Sequence, residues 1–499
     1  MMPHWPAQIR HVVMRLISVS WGAAFFMPLS RSKMSPCPFH YARMGNALHR
    51  IGPARTCCRG AIVAGGWQRI HGMREGKVDM AQSWIIRGGH IWSGENGDVR
   101  ERADVLVTGD RIAATQRPGT PAPADAQEVD ASGATVIPGL IDAHGHLSFP
   151  TVTYAYEIED TPPEETVLIT MHNARIMLDA GFTGVIGAGS PKLRSEVVIR
   201  NEIEAGRIPG PRLLASTPTL TATGGLNDTA QLHQRRDVAA AVVDGAEACR
   251  KMVRLGFREG VDVVKVNMSG DDFFPRPTGR TTTLAEDEAQ AIGEAARELG
   301  LLVSVHARSA ESIKRALRAG ATLINHADFA DDEALDMLEA ARDRIFVAPT
   351  IGYYHSLLHD SPFDRATIDR MGVEPAMESN IAVHSELRRR GVRAVIGGDY
   401  GMPWQPNGAN ARDVQHFVSY LGYTPAEALY AATVNGGELM GKGAGRIASG
   451  MVADLLLIDG DPVADPRLLA DARALRAVMK GGQWHKAPSP ISRSVEEAA

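Results

Sequence analysis

From Ile141 onward the chain repeats one kind of unit, and this repeat limits its fold more than any other feature. Apolar, strand-like runs occur at 182–189, 261–269, 301–307, 321–327, 344–350 and 392–399. Between them lie helical stretches of about 12–20 residues, such as EDEAQAIGEAARELG. The runs are mostly apolar, the pattern of strands covered on both faces. Repeated strand–helix units of this kind build a parallel sheet or barrel.

The flanks have a different rhythm. From Trp84 come short strands, WIIRGGHIWSG, RADVLVTGDRIAAT and ATVIPGLID, and the Gly88-Gly89 and Gly109-Asp110 pairs read as hairpin turns. Near residue 445 short strands return, in GRIASGMVADLLLIDGD and RALRAVMKGGQWH. A β segment on each side of the array predicts one small sandwich made from both. The expected fold is α/β, a (β/α)8 TIM barrel with that β-sandwich beside it. The expected divisions are a basic N-terminal extension at 1–79, the first sandwich part at 80–137, the barrel at 138–440, the second sandwich part at 441–485 and a tail at 486–499.

Composition bounds the rest. With 499 residues, 44% of them hydrophobic and 22% charged, the chain has ample material for a large core. A net charge of −5 gives no footprint for nucleic acid. Residues 1–79 hold 11 Lys+Arg against Glu75 and Asp79, and so lie near +9 while the remainder lies near −14. This head has no sustained hydrophobic period and is expected to be disordered, as is the tail. The apolar run Leu16–Met27 is too short to span a bilayer and no clear small-x-small cleavage site follows it, so an upstream extension is the stronger reading beside a signal or transit peptide. Met73 and Met80 are candidate starts, because clear patterning begins just after them. Beyond the head only Cys249 remains, which excludes a disulfide framework and fits a reducing, cytoplasmic setting.

The chemical groups fall at strand C-terminal ends, where a barrel keeps its active site. His144 and His146 lie in PGLIDAHGHLSF, on the same face of one strand. Lys265 interrupts the apolar run VVKVN, His306 ends LLVSVH, His326 ends TLINH and Asp399 ends AVIGGD. Any one strand-end histidine is ordinarily a hydrogen-bonded core residue. A buried lysine without a partner costs several kcal/mol and needs a reason to be there. Six such groups on one rim point to a metal site.

The stretches PGLIDAHGH, VVKVN, VSVHA, LINHA, GGDYG and GRIASGMVADLLLID resemble the metal-dependent amidohydrolase superfamily over about residues 84–485. The chain is similar to its imidazolonepropionase-like and prolidase-like branch, and closer to the molinate and phenylurea hydrolases. The stretches carrying that closer likeness are DAGFTGVIGAGSPKLRSEVVIRNEIEAGRIPGPR, TATGGLND, VKVNMSGDDFF and GGDYGMPWQPNGANARD. The resemblance implies two divalent metal ions. Zinc suits mixed N/O ligands best, and manganese, cobalt or iron would fit as well. His144 and His146 would bind the more buried ion, His306 and His326 the second, and a carboxylated Lys265 would bridge the two. Asp399 would bind the first ion and handle the proton. A metal-bridging hydroxide would then hydrolyse an amide-like C–N bond, as in a urea, carbamate, thiocarbamate, anilide or N-acyl compound.

Other positions are candidates for substrate binding. Tyr353 or Tyr354 would hold the carbonyl oxygen or line the pocket, and packing under a loop is the ordinary alternative. Asn267 lies two residues beyond Lys265 on the same face, to orient the lysine or the substrate. Arg308 would bind a carboxylate if the enzyme were instead a prolidase-like dipeptidase or N-acyl amino acid hydrolase; a rim salt bridge is its ordinary role. Phe273, Phe274 and Trp404 offer apolar contacts. A deaminase and a non-catalytic barrel are weaker readings. The expected partners are a small-molecule substrate and further copies of the chain, with neither nucleic acid nor membrane.

Overall fold

A computed structural model of the chain describes residues 82–95, 101–153, 155–233, 237–274 and 276–488. The expectations for the head at 1–79 and for the tail beyond residue 488 fall outside them.

The parallel strands, in chain order, are β1 (Leu140–Gly145), β2 (Phe182–Gly187), β3 (Arg212–Leu214), β4 (Val263–Asn267), β5 (Leu302–Ser309), β6 (Leu323–Phe329) and β7 (Phe346–Ala348). β1 to β3 form one parallel sheet. β4 to β7 form another, which two short strands, Thr219–Thr221 and Ala240–Val242, extend at its β4 edge. The two sheets are joined at a few points. Ser216 bridges Val263, Val347 bridges Ala394, and the amide of Ala143 donates to the Ile396 carbonyl at 3.0 Å.

The run at 392–399 therefore makes bridges rather than the continuous strand its composition predicts. Its Gly397 passes so close to β1 that a Cβ there would lie 2.7 Å from the Cβ of His144. The helices between strands are delimited by local chemistry. Helix Ala310–Ala319 begins at Ser309, whose side chain accepts from the Ser312 amide, and ends at Gly320 in the left-handed region at φ 85°. Three helices bear on the site: α1 (Ile351–His359), α2 (Val373–Arg389) and α3 (Arg412–Leu421).

The flanking segments build two further sheets. One contains Ser83–Arg87, Asp104–Thr108, Arg111–Gln116 and Ala126–Asp130; the other joins Ala134–Pro138 to Leu455–Asp459, Leu475–Lys480 and Gln483–Lys486. Strands from both flanks thus share a sheet, and Ile86, Val105, Val136, Leu455 and Met479 of the two sheets share one buried cluster. Gly109-Asp110 does turn an antiparallel pair. Gly88-Gly89 does not. Ser83–Arg87 pairs with Asp104–Thr108, whereas His90–Ile91 pairs with Ala134–Pro138, so the glycines carry the chain from one sheet to the other. No helix among the described residues is long and apolar enough to cross a membrane.

Candidate active site

The parallel strands deliver their polar residues to one place. His144 of β1, Lys265 of β4, His306 of β5 and His326 of β6 are 5% exposed or less, and His146 follows β1 directly. Asp399, at φ 65°, ends the Gly397-Gly398 passage. His146 Nε2 lies 2.8 Å and His144 Nε2 3.5 Å from the same Asp399 oxygen, Oδ1. The ligand atoms of these three all lie within 4.8 Å of one another. Lys265 Nζ is 3.2 Å from His144 Nε2. The His306 and His326 rings are 4.2 Å apart, and His326 is 5.4 Å from His144. The six predicted ligands form one continuous cluster.

Burial sets the charge of this cluster. It pushes the imidazoles of His144 and His326 well below the ordinary range, and that of His306 down to about 4, so the three are neutral lone-pair donors at pH 7. Burial also brings Lys265 down to about 8, which leaves a fraction of its amine neutral. Burial opposes the charge of Asp399, but the imidazoles of His144 and His146 and the Lys265 amine hold its carboxyl far below the usual range. Neutral imidazoles beside an ionised carboxylate are the ligand states that a divalent cation requires.

Hydrogen bonds orient the rings. His306 Nε2–H donates to the Gly270 carbonyl at 3.0 Å, which leaves Nδ1 as the free donor atom. The Thr350 hydroxyl donates to the Pro349 carbonyl, so its oxygen accepts from His326 Nδ1–H, both at 2.7 Å. His326 Nε2 is then left buried and without a hydrogen-bond partner among the described residues, as are Nδ1 of His144 and Nδ1 of His146. An orphaned buried nitrogen is costly, and a cation bound within the cluster would relieve that of His326, while His144 and His146 present Nε2 to Asp399. The donor set therefore fits a metal centre.

Thr350 and the helix behind it were not foreseen. His326, Ala327 and Thr350 adopt positive φ without being glycine. Side chains of α2 hold this strained backbone. His384 Nε2–H donates to the His326 carbonyl at 2.5 Å, and Asn380 donates to Asp328 and to the Pro349 carbonyl. Nothing in the spacing of α2 marks these residues, because their partners, two backbone carbonyls and the Asp328 carboxylate, lie far away in the chain. Thr350→Val keeps the side-chain shape and removes the acceptor that orients His326. It is expected to weaken metal retention about 10–100-fold with the fold intact, measured as metal left after dialysis against a chelator. Unchanged retention would contradict the orienting role.

The remaining candidates separate into pocket wall and support. Asn267, Tyr353, Phe273, Phe274 and Trp404 line the pocket above the cluster. Asn267 donates to the Leu226 carbonyl at 3.2 Å rather than to the lysine, and the Tyr353 hydroxyl donates to Asp271 at 3.3 Å. Tyr354 and Arg308 lie beneath the wall. Arg308 is fully buried and paired with Asp271 and Asp328, both at 2.7 Å, and the Tyr354 hydroxyl bonds Asp328 at 2.7 Å. Arg308 is thus already neutralised by two carboxylates and does not reach the pocket, contrary to its expected role as a substrate anchor. A guanidinium needs such partners when it is buried.

One buried acid near the cluster has a pH consequence. Glu196 is fully buried and accepts from the amide and hydroxyl of Ser216, at 2.9 and 3.0 Å. Burial pushes its carboxyl up to about 7. An unfolded Glu loses its proton near pH 4.3. The stabilisation from the folded, protonated form is therefore complete below that value and lost as pH rises through about 7. Glu196→Gln is expected to flatten this loss and to exceed the wild type in stability at pH 8 by about 2 kcal/mol. Urea midpoints at pH 5 and pH 8 check it; the same pH dependence in both proteins would contradict it.

A family model described as the amidohydrolase family matches residues 135–485, which include every group of the cluster. The chain belongs to the amidohydrolase family. This amidohydrolase, a hydrolase of carbon–nitrogen bonds, is 25% identical over 440 residues to ochratoxinase of Aspergillus niger, covering 82% of this chain and 88% of that protein. It superposes on a crystal structure of a prolidase complexed with N-methylphosphonate-L-proline with a TM-score of 0.73 at 26% identity, covering 81% of this chain and 100% of the other. It superposes on molinate hydrolase with a TM-score of 0.67 at 20% identity, covering 81% and 95%, a likeness of fold.

Proposed function

We propose that the amidohydrolase is a binuclear metal enzyme that hydrolyses an amide-like C–N bond in a small molecule, on a closed (β/α)8 barrel spanning about residues 138–440 with a β-sandwich at 80–137 and 441–485. The bridges at Ser216–Val263 and Val347–Ala394 and the bond from Ala143 to Ile396 support closure of the ring. The observation that carries the reading is the buried Lys265, with neutral inward-facing imidazoles on both sides.

In this reading the uncharged Lys265 amine takes up CO2 and releases a proton. The product is an N-carboxylated side chain that turns a buried cation into an anionic oxygen ligand. His144, His146 and Asp399 would hold one ion and His306 and His326 the other, with Lys265 between them. Two divalent ions, zinc for preference, acidify a water and polarise the scissile carbonyl. Asp399 accepts the proton as the water oxygen bonds to the carbonyl carbon. It delivers that proton to the leaving nitrogen as the C–N bond breaks. Phe273, Phe274 and Trp404 seat an apolar acyl or amine group away from water.

Burial of Arg308 bears on substrate choice. Among the described residues, Lys265 is the one Lys or Arg lining the pocket. That favours aryl ureas, thiocarbamates and anilides over dipeptides with a free carboxylate. A hydrolysis panel of these classes with N-acyl and X-Pro dipeptides decides. The expected result is turnover of the uncharged amides, and turnover of dipeptides alone would overturn this preference.

A further inference from the structure

A second group of imidazoles lies away from the pocket, where α1 packs against α3. We propose that His355, His359 and His416 form a separate binding site for a divalent transition-metal ion, of the zinc or nickel class, that staples these two helices. His355 and His359 are four residues apart on α1 and so share one face, a spacing at which two imidazoles chelate a single ion. The His355 ring lies between the other two, 4.7 Å from His359 and 4.5 Å from His416 of α3.

The tautomers suit metal binding. His416 Nδ1 faces the Asp413 carboxylate at 3.4 Å, which can only accept, so Nδ1 carries the proton and Nε2 the lone pair. His355 Nδ1 is 2.8 Å from the Tyr420 hydroxyl, which leaves its Nε2 free as well. The hydrogen bonds of His355 and His416 thus both use Nδ1 and leave Nε2 available. A carboxylate or hydroxyl on the far nitrogen is the usual orienting device behind a metal-bound histidine.

The charges at the seam leave the site available. The nearest cation, Arg412, is engaged by Asp360 at 2.8 Å. Burial and the neighbouring imidazoles of His416 and His359 bring His355 down to about 4, so it stays unprotonated at neutral pH. Among the described residues only His144, His146 and Asp399 bring their ligand atoms within 4.8 Å of one another, so an ion at the seam requires the exposed His359 side chain to turn towards His355. Imidazole ligands without thiolates select zinc, nickel or copper rather than calcium or magnesium.

The seam borders the active site without belonging to it. Asp413, which orients His416, also lies 3.3 Å from the Gly397 amide and 3.2 Å from the Tyr400 hydroxyl, on the passage that carries Asp399. The opposite end of α1 supplies Tyr353 to the pocket wall.

The test uses zinc ions with the full-length, metal-loaded protein. After gel filtration in micromolar zinc, the wild type should retain one equivalent per chain more than His359→Ala. His416→Gln should lose the same equivalent, and zinc should raise the Tm of the wild type more than that of either variant. Because His359 is exposed, its removal leaves folding intact. Lys265→Met, which alters the pocket cluster, should keep the seam equivalent. That separates failure of this site from failure of the binuclear reading. Equal zinc retention and equal Tm shifts in wild type, His359→Ala and His416→Gln would overturn the proposal.

Discussion

Lys265→Met is expected to abolish turnover while making the metal-free protein more stable. The substitution removes the ligand proposed to bridge the two ions. Several kcal/mol of transition-state stabilisation go with it, so kcat/KM should fall by at least about 10^3-fold. The catalytic cluster should then hold at most one ion tightly. Without metal the sign reverses. The wild type buries an amine whose nearest partner is His144 Nε2 at 3.2 Å, and desolvation already draws that amine down to about 8. An apolar side chain of similar length carries no such penalty, so metal-free Lys265→Met should melt at or above the metal-free wild type. Melting curves with and without metal therefore separate lost chemistry from lost folding. A variant that melts well below the wild type in both states would show Lys265 acting as a structural residue.

Asp399→Asn is expected to cost about 10^2–10^4-fold in kcat, with KM changed far less. The amide keeps the size of the side chain and its place beside His146 and His144, but it cannot take a proton from water or return one to nitrogen. The loss should depend on the leaving group. An anilide needs its nitrogen protonated as the C–N bond breaks. An ester with an acidic phenol leaving group does not, so its hydrolysis should fall less. Equal losses on the two substrates would place Asp399 in metal binding alone and contradict its role as proton carrier.

The strand-end groups were legible because chemistry and topology coincide in the chain. A charged or titratable residue at the end of an apolar run has one sensible destination in a βα array. His144, Lys265, His306, His326 and Asp399 all reach it. The turn at Gly109-Asp110 was legible for a local reason, since its two strands are neighbours in sequence. Gly88-Gly89 was misread because the same dipeptide serves a hairpin or a change of sheet, and only the distant strands Asp104–Thr108 and Ala134–Pro138 decide between them.

Arg308 shows a further limit. Its position two residues beyond His306 suggested a substrate anchor, but the carboxylates that neutralise it come from elsewhere in the chain, Asp271 from the loop after β4 and Asp328 from β6. The clamp of Thr350 and His384 on His326 was hidden for the same reason. Left-handed backbone at Thr350 and a hydrogen bond to a carbonyl 58 residues away leave no periodic trace in the chain.

The central claim is a two-ion catalytic cluster built on Lys265. The most direct test is to add divalent metal back to the metal-free protein in bicarbonate buffer and follow hydrolysis of a substrate from the panel. Run in His359→Ala, which removes the proposed seam ion, the titration counts only ions taken up by the catalytic cluster. The account predicts that turnover rises until two equivalents per chain are present and requires bicarbonate. Full activity at one equivalent, or activity indifferent to bicarbonate, would contradict it.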